Sequence, residues 1–397
     1  MSGYFQRQPS PKEIAERVKG FQSWIEVDLD AVGHNLDKVR ARTGREVIAC
    51  VKSNAYGHGI VPVVAYMEKR GVKRVLVAKL WEAEQLRDAG IGLDIVNIDP
   101  LFTAEEFEYV VDQGITHTVY QRKAADKLSE AAARLRKEAK VWVKVDTGLG
   151  RVGVRWDEAP DLIEYVAKKP NLRIDGVFST LSEDDQLDRL QVERLLEVER
   201  LCEAKGVSVG TKSMASSNAV FHKPYAYLDA VRPGIMLLGM YPEEADMGQG
   251  IELRQSLCLK ARVEHVKWVE AGESLTYSRR FTAPSRMKVG TVHIGYYDGF
   301  PRGLTKVGKV RVGDEIRPVL GTVSVNHFLV DLTGTDLEPG DVVEAISREG
   351  ENDALGLATL AGVMTYSLAN GLSILMPRVY TEKGKPVALT KPKLVSG

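Results

Sequence analysis

The pattern of apolar and polar positions changes once along the chain. Up to about residue 245, short β-branched runs alternate with segments whose apolar residues recur at helical spacing. The strand-like runs are Ile25–Leu29, Val47–Val51, Val75–Ala78, Ile95–Ile98, Ile115–Tyr120, Val141–Val145, Ile174–Phe178, Lys212–Ala215 and Leu228–Val231. Repeated β–α units predict a parallel sheet, and their number favours a (β/α)8 barrel. An open doubly wound sheet is the alternative.

Beyond this point helical patterns mostly vanish, and short strand-like runs are separated by glycine-containing turns. These runs are Lys260–Val266, Met287–Ile294, Val310–Val312, Pro318–Leu320, Phe328–Leu332 and Val342–Ile346. One late helical pattern covers Leu357–Val363. We therefore expect an α/β barrel domain over residues 1–245 and a mostly β domain over residues 246–397, joined through the Glu-, Asp-, Gly- and Pro-rich segment Tyr241–Gly250.

Composition and charge narrow the functional classes. Lys+Arg and Asp+Glu both number 54, so the formal net charge is +0 and no overall field favours nucleic acid or an anionic membrane. No apolar run approaches transmembrane length, and the N-terminus lacks the apolar core of a signal peptide. Cys50, Cys202 and Cys258 lie far apart and have no metal-ligand spacing. We expect a cytoplasmic enzyme with no bound metal and no nucleic-acid or membrane partner.

The most informative motif is V-I-A-C-V-K-S-N-A-Y-G-H-G, from Val47 to Gly59. An apolar run ends on Lys52, and a polar, glycine-containing turn with Tyr56 follows at once. Pyridoxal 5'-phosphate (PLP) needs such a setting, with a lysine for its aldehyde and donors for its phosphate. The segment resembles the cofactor-lysine signature of the alanine racemase family, A-V-V-K-A-N-A-Y-G-H-G. The resemblance implies that Lys52 holds PLP and that Tyr56 donates to its phosphate.

A second motif, V-R-P-G-I from Val231 to Ile235, resembles the family segment that brings an arginine to the pyridine nitrogen of PLP. A guanidinium does not give up its proton at ordinary pH, so a pyridine nitrogen facing Arg232 stays neutral. That weakens the ring as an electron sink and suits simple proton exchange at Cα. Gly234 and Ile235 would offer backbone N–H groups to the phosphate.

A third motif, G-E-S-L-T-Y-S from Gly272 to Ser278, resembles the family's G-E-x-V-S-Y-G and makes Tyr277 the second catalytic base. Racemisation needs a base on each face of a planar intermediate. By this resemblance, Lys52 handles the α-proton of the D-isomer and Tyr277 that of the L-isomer. In the family this tyrosine reaches the barrel of a second subunit, which implies a head-to-tail homodimer.

The fourth motif, V-K-V-D-T-G-L-G-R-V-G-V, spans Val143–Val154 and contains a formal G-x-G-x-x-G dinucleotide fingerprint. We reject that interpretation because a polar D-T-G enters it and no clear helix follows. The segment resembles the family's K-x-D-T-G-M-G-R-x-G instead. The resemblance implies that Arg151 binds the carboxylate of an amino-acid substrate. It also implies that Lys144 is carbamylated and holds this arginine.

Shorter matches add further candidates. I-G-Y-Y-D-G-F-P-R, from Ile294 to Arg302, resembles a family segment and places Tyr296 at the site entrance. Tyr366 matches a phosphate-contacting tyrosine. Val325 and Asn326 occupy the first two positions of the family's M-D-Q near the substrate.

Two family histidines are replaced. T-H-F is Ser179-Thr180-Leu181 here, so the histidine that links the pyridine arginine to the catalytic tyrosine is missing. The family's H-x-A-N-S-A begins at Met214, which exchanges the amide and hydroxyl positions at Ser217 and Asn218. Either of these two residues can donate to phosphate.

The combined resemblance implies a PLP-dependent racemase acting on alanine or a related small amino acid. Two alternatives remain open. One is a PLP-binding protein on this scaffold that has lost racemisation and has a binding or regulatory role. The other is a lyase or decarboxylase on the related barrel, against which Arg232 argues because those reactions usually use an acidic partner at the ring nitrogen.

Overall fold

The computed structural model describes residues 3–391, which form two sheets of nine strands each and one two-stranded sheet. The strands are β1 (Ser23–Asp28), β2 (Glu46–Cys50), β3 (Arg74–Val77), β4 (Asp94–Asn97), β5 (Thr116–Val119), β6 (Ala139–Asp146), β7 (Val154–Arg155), β8 (Leu172–Phe178), β9 (Thr211–Ser213), β10 (Ala230–Val231), β11 (Leu257–Val269), β12 (Ser274–Leu275), β13 (Phe281–Thr282), β14 (Met287–Val292), β15 (Lys309–Val312), β16 (Glu315–Leu320), β17 (Phe328–Asp331), β18 (Val342–Ile346), β19 (Arg378–Glu382) and β20 (Lys385–Thr390).

The helices lie mainly between the strands of the first half. They are α1 (Pro11–Val18), α2 (Leu29–Thr43), α3 (Ile60–Lys69), α4 (Leu80–Asp88), α5 (Ala104–Asp112), α6 (Arg122–Leu135), α7 (Ala159–Ala167), α8 (Asp185–Ala204), α9 (Ser217–His222), α10 (Ala354–Ala361) and α11 (Thr365–Gly371). Within residues 3–391, no helix combines the length and the apolar composition that crossing a bilayer would require.

Strands β2, β3, β4, β5, β6, β8, β9 and β10 pair in parallel, each with the next, and β10 pairs with β2. This last pairing closes the barrel, so the predicted (β/α)8 architecture is confirmed and the open doubly wound sheet is excluded. The barrel is filled rather than hollow, because its interior is packed with the side chains of Ile48, Leu76, Val96, Trp142, Phe178 and Ala230.

One predicted barrel strand belongs elsewhere. The run Ile25–Leu29 was expected among the barrel units, but β1 pairs antiparallel with β11 and parallel with β19 in the second sheet. A β-branched run followed by a helix looks the same in sequence whichever sheet the strand joins. Asp28 caps α2, because its side chain accepts hydrogen bonds from the backbone N–H groups of Asp30 and Ala31 at 2.9 and 3.3 Å.

The second sheet confirms the predicted mostly β domain. Its order is β14-β17-β16-β15-β18-β11-β1-β19-β20, and β14 also pairs with β11, so six of its strands close into a smaller barrel. The long strand β11 supports this closure, because it pairs with β1, β14 and β18 along its length. A β-bulge interrupts its register with β14 between Val263 and His265.

Candidate active site

The predicted cofactor residues collect at one face of the large barrel. Lys52 follows β2, Lys144 lies near the end of β6, Thr180 follows β8 and Arg232 follows β10. In a closed parallel barrel the carboxyl ends of all strands meet at one face, where enzymes of this architecture place their chemistry. The fold thus brings together side chains that are far apart in sequence.

Directly after Lys52 the backbone makes a left-handed turn. Ser53, Asn54, Ala55 and Tyr56 have φ angles of 57°, 56°, 50° and 48°. L-residues disfavour this conformation by about 1–2 kcal/mol each. Such strain persists where surrounding contacts over-determine it, and it clusters at functional sites.

Buried hydrogen bonds hold this turn in place. The carboxylate of Glu82, which is fully buried, accepts from the backbone N–H of Asn54 at 2.8 Å. The same carboxylate accepts from the N–H groups of Ala78 and Lys79 at 3.0 and 3.1 Å. The side-chain Oδ1 of Asn54 in turn accepts from the N–H of Ile60 at 2.8 Å. Helices α3 and α4 are thereby tied to the turn that presents Lys52.

The turn folds Tyr56 back against the barrel. Its hydroxyl lies 3.4 Å from Sγ of Cys50, and its ring centroid lies 5.9 Å from that of Tyr366. Burial, followed by the neighbouring Cys50, raises the pKa of Tyr56 well above its ordinary value, so the phenol keeps its proton and can donate. A Cβ at Gly234 would lie 2.3 Å from the Tyr56 hydroxyl, so only glycine permits this approach.

Polar groups from the last two barrel strands meet beside this phenol. The N–H of Gly234, after β10, donates to Oγ of Ser217, after β9, at 3.0 Å. Oδ1 of Asn218, the residue next to Ser217, is buried without a hydrogen-bond partner, and a half-turn of the amide would put its NH2, a donor, in place of this oxygen. Phosphate sites in such barrels are commonly built from the loops after strands seven and eight. The hydroxyls and the amide therefore suit a phosphate group.

Arg232 is held by neutral oxygens. Its Nε donates to Oγ of Ser213 at 3.0 Å, and its Nη2 donates to the backbone oxygen of Ser179 and, at 3.4 Å, to that of Met214. Burial lowers the pKa of Arg232 to about 10, which leaves it charged at neutral pH. Within residues 3–391, no hydrogen bond reaches Nη1 of this guanidinium. Its charge is therefore available to a bound group.

Lys144 is the second buried cation at this face. Its side chain is 7% exposed, its Nζ donates to Oγ1 of Thr180 at 2.5 Å, and it lies 4.6 Å from the ring centroid of Phe178. Burial first, then the charges of Arg232 and Arg151, hold the pKa of Lys144 well below its ordinary value. Its amine therefore loses a proton far more readily than an exposed lysine does. Thr180, at the position of a family histidine, serves here as the hydrogen-bond partner of this amine.

Arg151 lies exposed on the loop after β6. Asp146 shapes the loop, since its Oδ1 accepts from the N–H groups of Gly148 and Gly150 at 3.0 and 3.1 Å. Gly153 has a φ of 137°, and a Cβ there would lie 2.6 Å from the backbone nitrogen of Asp146. The strand β7 follows instead of a helix, which supports rejecting the dinucleotide interpretation. The glycine spacing thus serves a tight loop beside the site.

The remaining candidates lie in the β domain and are not joined to the barrel mouth. Tyr277, Tyr296 and Val325 are 75%, 43% and 44% exposed, and Asn326 is half-buried. Within the described chain, no hydrogen bond or ring contact connects Tyr277 to the barrel. The predicted site residues therefore form two separate groups in one chain.

Backbone contacts hold the β-domain group together. The N–H of Tyr296 donates to the oxygen of Ser324 at 3.1 Å, and that of Tyr297 donates to the oxygen of Val325 at 3.0 Å. The segment that carries Tyr277 is tied to the same region, because the N–H of Thr322 donates to Oγ1 of the preceding Thr276 at 3.2 Å. Tyr277, Tyr296, Val325 and Asn326 form what we call the β-domain patch.

Three supporting residues escaped the sequence analysis. Glu82 stabilises the left-handed turn, Ser213 orients Arg232, and the ring of Phe178 lies beneath both buried cations. Only Glu82 carries a local signal, since it is the third residue of α4, where an acidic side chain can accept from the backbone N–H groups at the start of a helix. The other two act through contacts between strands, which no local pattern reveals.

Comparison with known proteins identifies the family of the chain. The family model described as the alanine racemase N-terminal domain matches residues 27–242, and that of the C-terminal domain matches residues 256–380. An alanine racemase of Clostridium perfringens is 32% identical over 374 residues, covering 92% of this chain and 96% of the relative. One of Carboxydothermus hydrogenoformans is 34% identical over 365 residues, covering 90% and 99%.

Solved structures agree. An alanine racemase of Clostridium difficile 630 superposes with a TM-score of 0.87 at 30% identity, covering 94% of this chain and 99% of its own. The alanine racemase of Streptomyces coelicolor A3(2) gives 0.85 at 29% identity, covering 92% and 100%. Both domains, their order and nearly the full length of the relatives are matched. The chain belongs to the alanine racemase family.

Proposed function

We propose that this racemase interconverts L- and D-alanine with PLP as its cofactor. One observation carries the proposal. At the mouth of the barrel, the amine of Lys52, the guanidinium of Arg232 and the phosphate-suited group around Tyr56 and Gly234 occur together. Relatives that are 32% and 34% identical over nearly their whole length are alanine racemases, which supports alanine as the substrate.

The residues at this face suit PLP, which when bound supplies an aldehyde for amino groups and a ring that stabilises charge at Cα. Lys52 would hold the aldehyde. Arg232 would donate to the ring nitrogen, and because its guanidinium keeps its proton, that nitrogen receives none. The phosphate would be held by the hydroxyls of Tyr56, Ser217 and Tyr366, the amide of Asn218 and the backbone N–H groups of Gly234 and Ile235.

Two bases would exchange the α-proton of the substrate. Nζ of Lys52 removes or returns it on one face, and Oη of Tyr277 does so on the other. Tyr277 is 75% exposed and, within residues 3–391, makes no hydrogen bond or ring contact with the barrel of its own chain, which leaves it available to another subunit. We therefore propose a head-to-tail homodimer in which each Tyr277 completes the barrel site of the other chain.

Residues at the barrel mouth and in the β-domain patch would orient the substrate. Arg151 would bind the substrate carboxylate, and Tyr296, Val325 and Asn326 would line the entrance from the β-domain patch. The lowered pKa of Lys144 supports carbamylation, because the neutral amine is the form that adds CO2, releasing one proton. The carbamate would place a negative charge beside Arg151.

The experiment is a chiral assay of the purified holoenzyme. The protein with PLP is incubated with single L-amino acids, and the products are separated by chiral chromatography. D-alanine is expected to form fastest and D-serine next. Val325 is shorter than the family's methionine and leaves room for a slightly larger substrate side chain. A panel without any D-product would overturn the proposal.

A second candidate follows from Thr180 and Met214, which replace two family histidines. A PLP-binding protein that has lost racemisation would retain the cofactor but exchange no α-proton. Proton NMR of alanine in D2O separates the two, because a racemase replaces the α-proton by deuterium while the non-racemase leaves the signal unchanged.

A further inference from the structure

Three side chains with metal-binding atoms converge on the β domain, outside the barrel mouth. Oε2 of Glu264 accepts hydrogen bonds from Nδ1 of His293 and from Nε2 of His327, each at 2.8 Å. The candidate ligand atoms of the three residues all lie within 4.8 Å of one another. We call these three residues the Glu264 triad. None of them takes part in the proposed reaction.

The fold brings the triad together from three paired strands. His293 directly follows β14, and His327 directly precedes β17, which is antiparallel to β14. Glu264 lies at the β-bulge of β11, between Val263 and His265, opposite β14. A bulge redirects a side chain and is a recurrent feature near functional sites. Because β14 is hydrogen-bonded to β11 on one side and to β17 on the other, the backbone positions of the three residues are rigidly spaced.

We propose that the Glu264 triad binds a divalent transition-metal ion, with Zn2+ as the best match. Two imidazoles and a carboxylate are ligands that zinc accepts, with a fourth position left for water. In the single chain, the side chains of His293, Glu264 and His327 are 39%, 50% and 39% exposed, so an ion can reach their ligand atoms.

The distances are compatible with this ligand set. Zinc bonds of about 2.0–2.1 Å in a tetrahedral arrangement set neighbouring ligand atoms about 3.4 Å apart. Each 2.8 Å contact of Glu264 would therefore open by about 0.6 Å, which small side-chain rotations provide.

Metal binding at the triad would act on the β-domain patch. His293 precedes Tyr296 by three residues, and His327 directly follows Asn326. The backbone of Tyr296 is already joined to Ser324 at 3.1 Å. An ion bound by both histidines fixes the spacing of the two loops that carry these residues. This effect on substrate loops rests on the proposed function, whereas binding of the ion does not.

The test is titration of tag-free, chelator-treated holoenzyme with ZnCl2 by isothermal calorimetry, without substrate. One ion per chain is expected. His293→Asn and His327→Gln keep an amide donor near the lost Nδ1 and Nε2 but remove the imidazoles. Each should weaken the affinity at least tenfold. His265 is exposed and adjacent to Glu264 but outside the triad, so His265→Ala is the matched control and should bind as the wild type does.

Three calorimetric results would overturn the proposal: no saturable Zn2+ binding to the wild type, unchanged affinity in both triad variants, or an equal loss of affinity in His265→Ala. A thermal measurement guards against loss of fold. Zn2+ should raise the unfolding midpoint of the wild type and of His265→Ala but not that of the triad variants, since only a protein that binds the ion is stabilised by it. A shift of equal size in all four proteins also contradicts the site.

Discussion

At the scale of single residues, the chemistry of the site depends on how the surroundings of each side chain determine its protonation state. Burial keeps the phenol of Tyr56 protonated and makes the amine of Lys144 easy to deprotonate, while Arg232 stays charged at neutral pH. Tyr277 lies outside this buried group, because its side chain is 75% exposed in the single chain. The roles proposed for Lys52 and Tyr277 can therefore be tested separately.

Replacing Tyr277 by Phe removes one of the two proposed bases and leaves the residues at the barrel mouth unchanged. The variant should bind PLP as the wild type does but lose activity by about 10²–10⁴-fold. In D2O it should still exchange the α-proton of D-alanine through Lys52, while exchange of L-alanine is lost. Tyr297→Phe changes a neighbouring tyrosine that is 60% exposed and is the control. Equal losses of exchange for both isomers would contradict the assignment.

At the scale of elements, much of the large barrel could be predicted from sequence. Several of its strands, such as β2, β4 and β5, are short runs rich in β-branched residues, and that pattern is local. The assignment of β1 to the barrel was wrong, because pairing between distant segments decides which sheet a strand joins, and a local pattern does not contain that information.

The left-handed turn after Lys52 was beyond prediction for a related reason. Its four residues, Ser53 to Tyr56, include no glycine, the usual signal for positive φ. The turn depends on Glu82, a residue of another element. Contacts between separate elements, such as that of Glu82 with Asn54, fix the geometry of the site, and local sequence patterns do not reveal them.

Glu82→Ala tests this dependence. It leaves the N–H groups of Asn54, Ala78 and Lys79 without their buried acceptor, at a cost of about 1–3 kcal/mol for each unsatisfied group. Chemical denaturation should show a lower free energy of unfolding, and the variant should bind PLP more weakly. Glu84→Ala, in the same helix, is the control and should have little effect. Wild-type stability and PLP affinity in Glu82→Ala would refute the role of this carboxylate.

Two buried histidines predict how stability depends on pH. Burial lowers the pKa of His58 and of His117 to about 4. Between this value and the ordinary 6.5, the unfolded chain binds more protons, so stability rises with pH and is lost on acidification. Each histidine contributes up to about 3 kcal/mol over this window. His117→Leu should reduce the slope of the free energy of unfolding against pH between about pH 4 and 6.5. The exposed His265 supplies the control variant His265→Leu, which should keep the wild-type slope. Equal slopes in all proteins would contradict the role of His117.

At the scale of the whole molecule, the proposed reaction requires residues of two chains in each active site. The barrel mouth holds Lys52, and the β-domain patch holds Tyr277, which makes no hydrogen bond to that mouth in the part of the chain that the structure describes. Family resemblance suggested this division in advance, and the single-chain structure is consistent with it. Composition and periodicity alone carry no information about it.

Subunit mixing tests the shared site. Lys52→Ala and Tyr277→Phe should each be nearly inactive as homodimers. When they are unfolded together and refolded, each mixed dimer has one site with both bases intact, so activity should return to about a quarter of the wild-type level for random mixing. Separately refolded samples that are mixed afterwards are the control. Lack of recovery, with mixed dimers shown to form, would contradict a site shared between chains.

The central claim is that the amine of Lys52 holds the cofactor, and reductive trapping tests it most directly. The holoenzyme is treated with sodium borohydride, digested and mapped by mass spectrometry. The account predicts that the pyridoxyl group is found on the peptide that contains Lys52 and is absent from Lys52→Ala. A label on Lys144 or another lysine, or no label at all, would contradict the account.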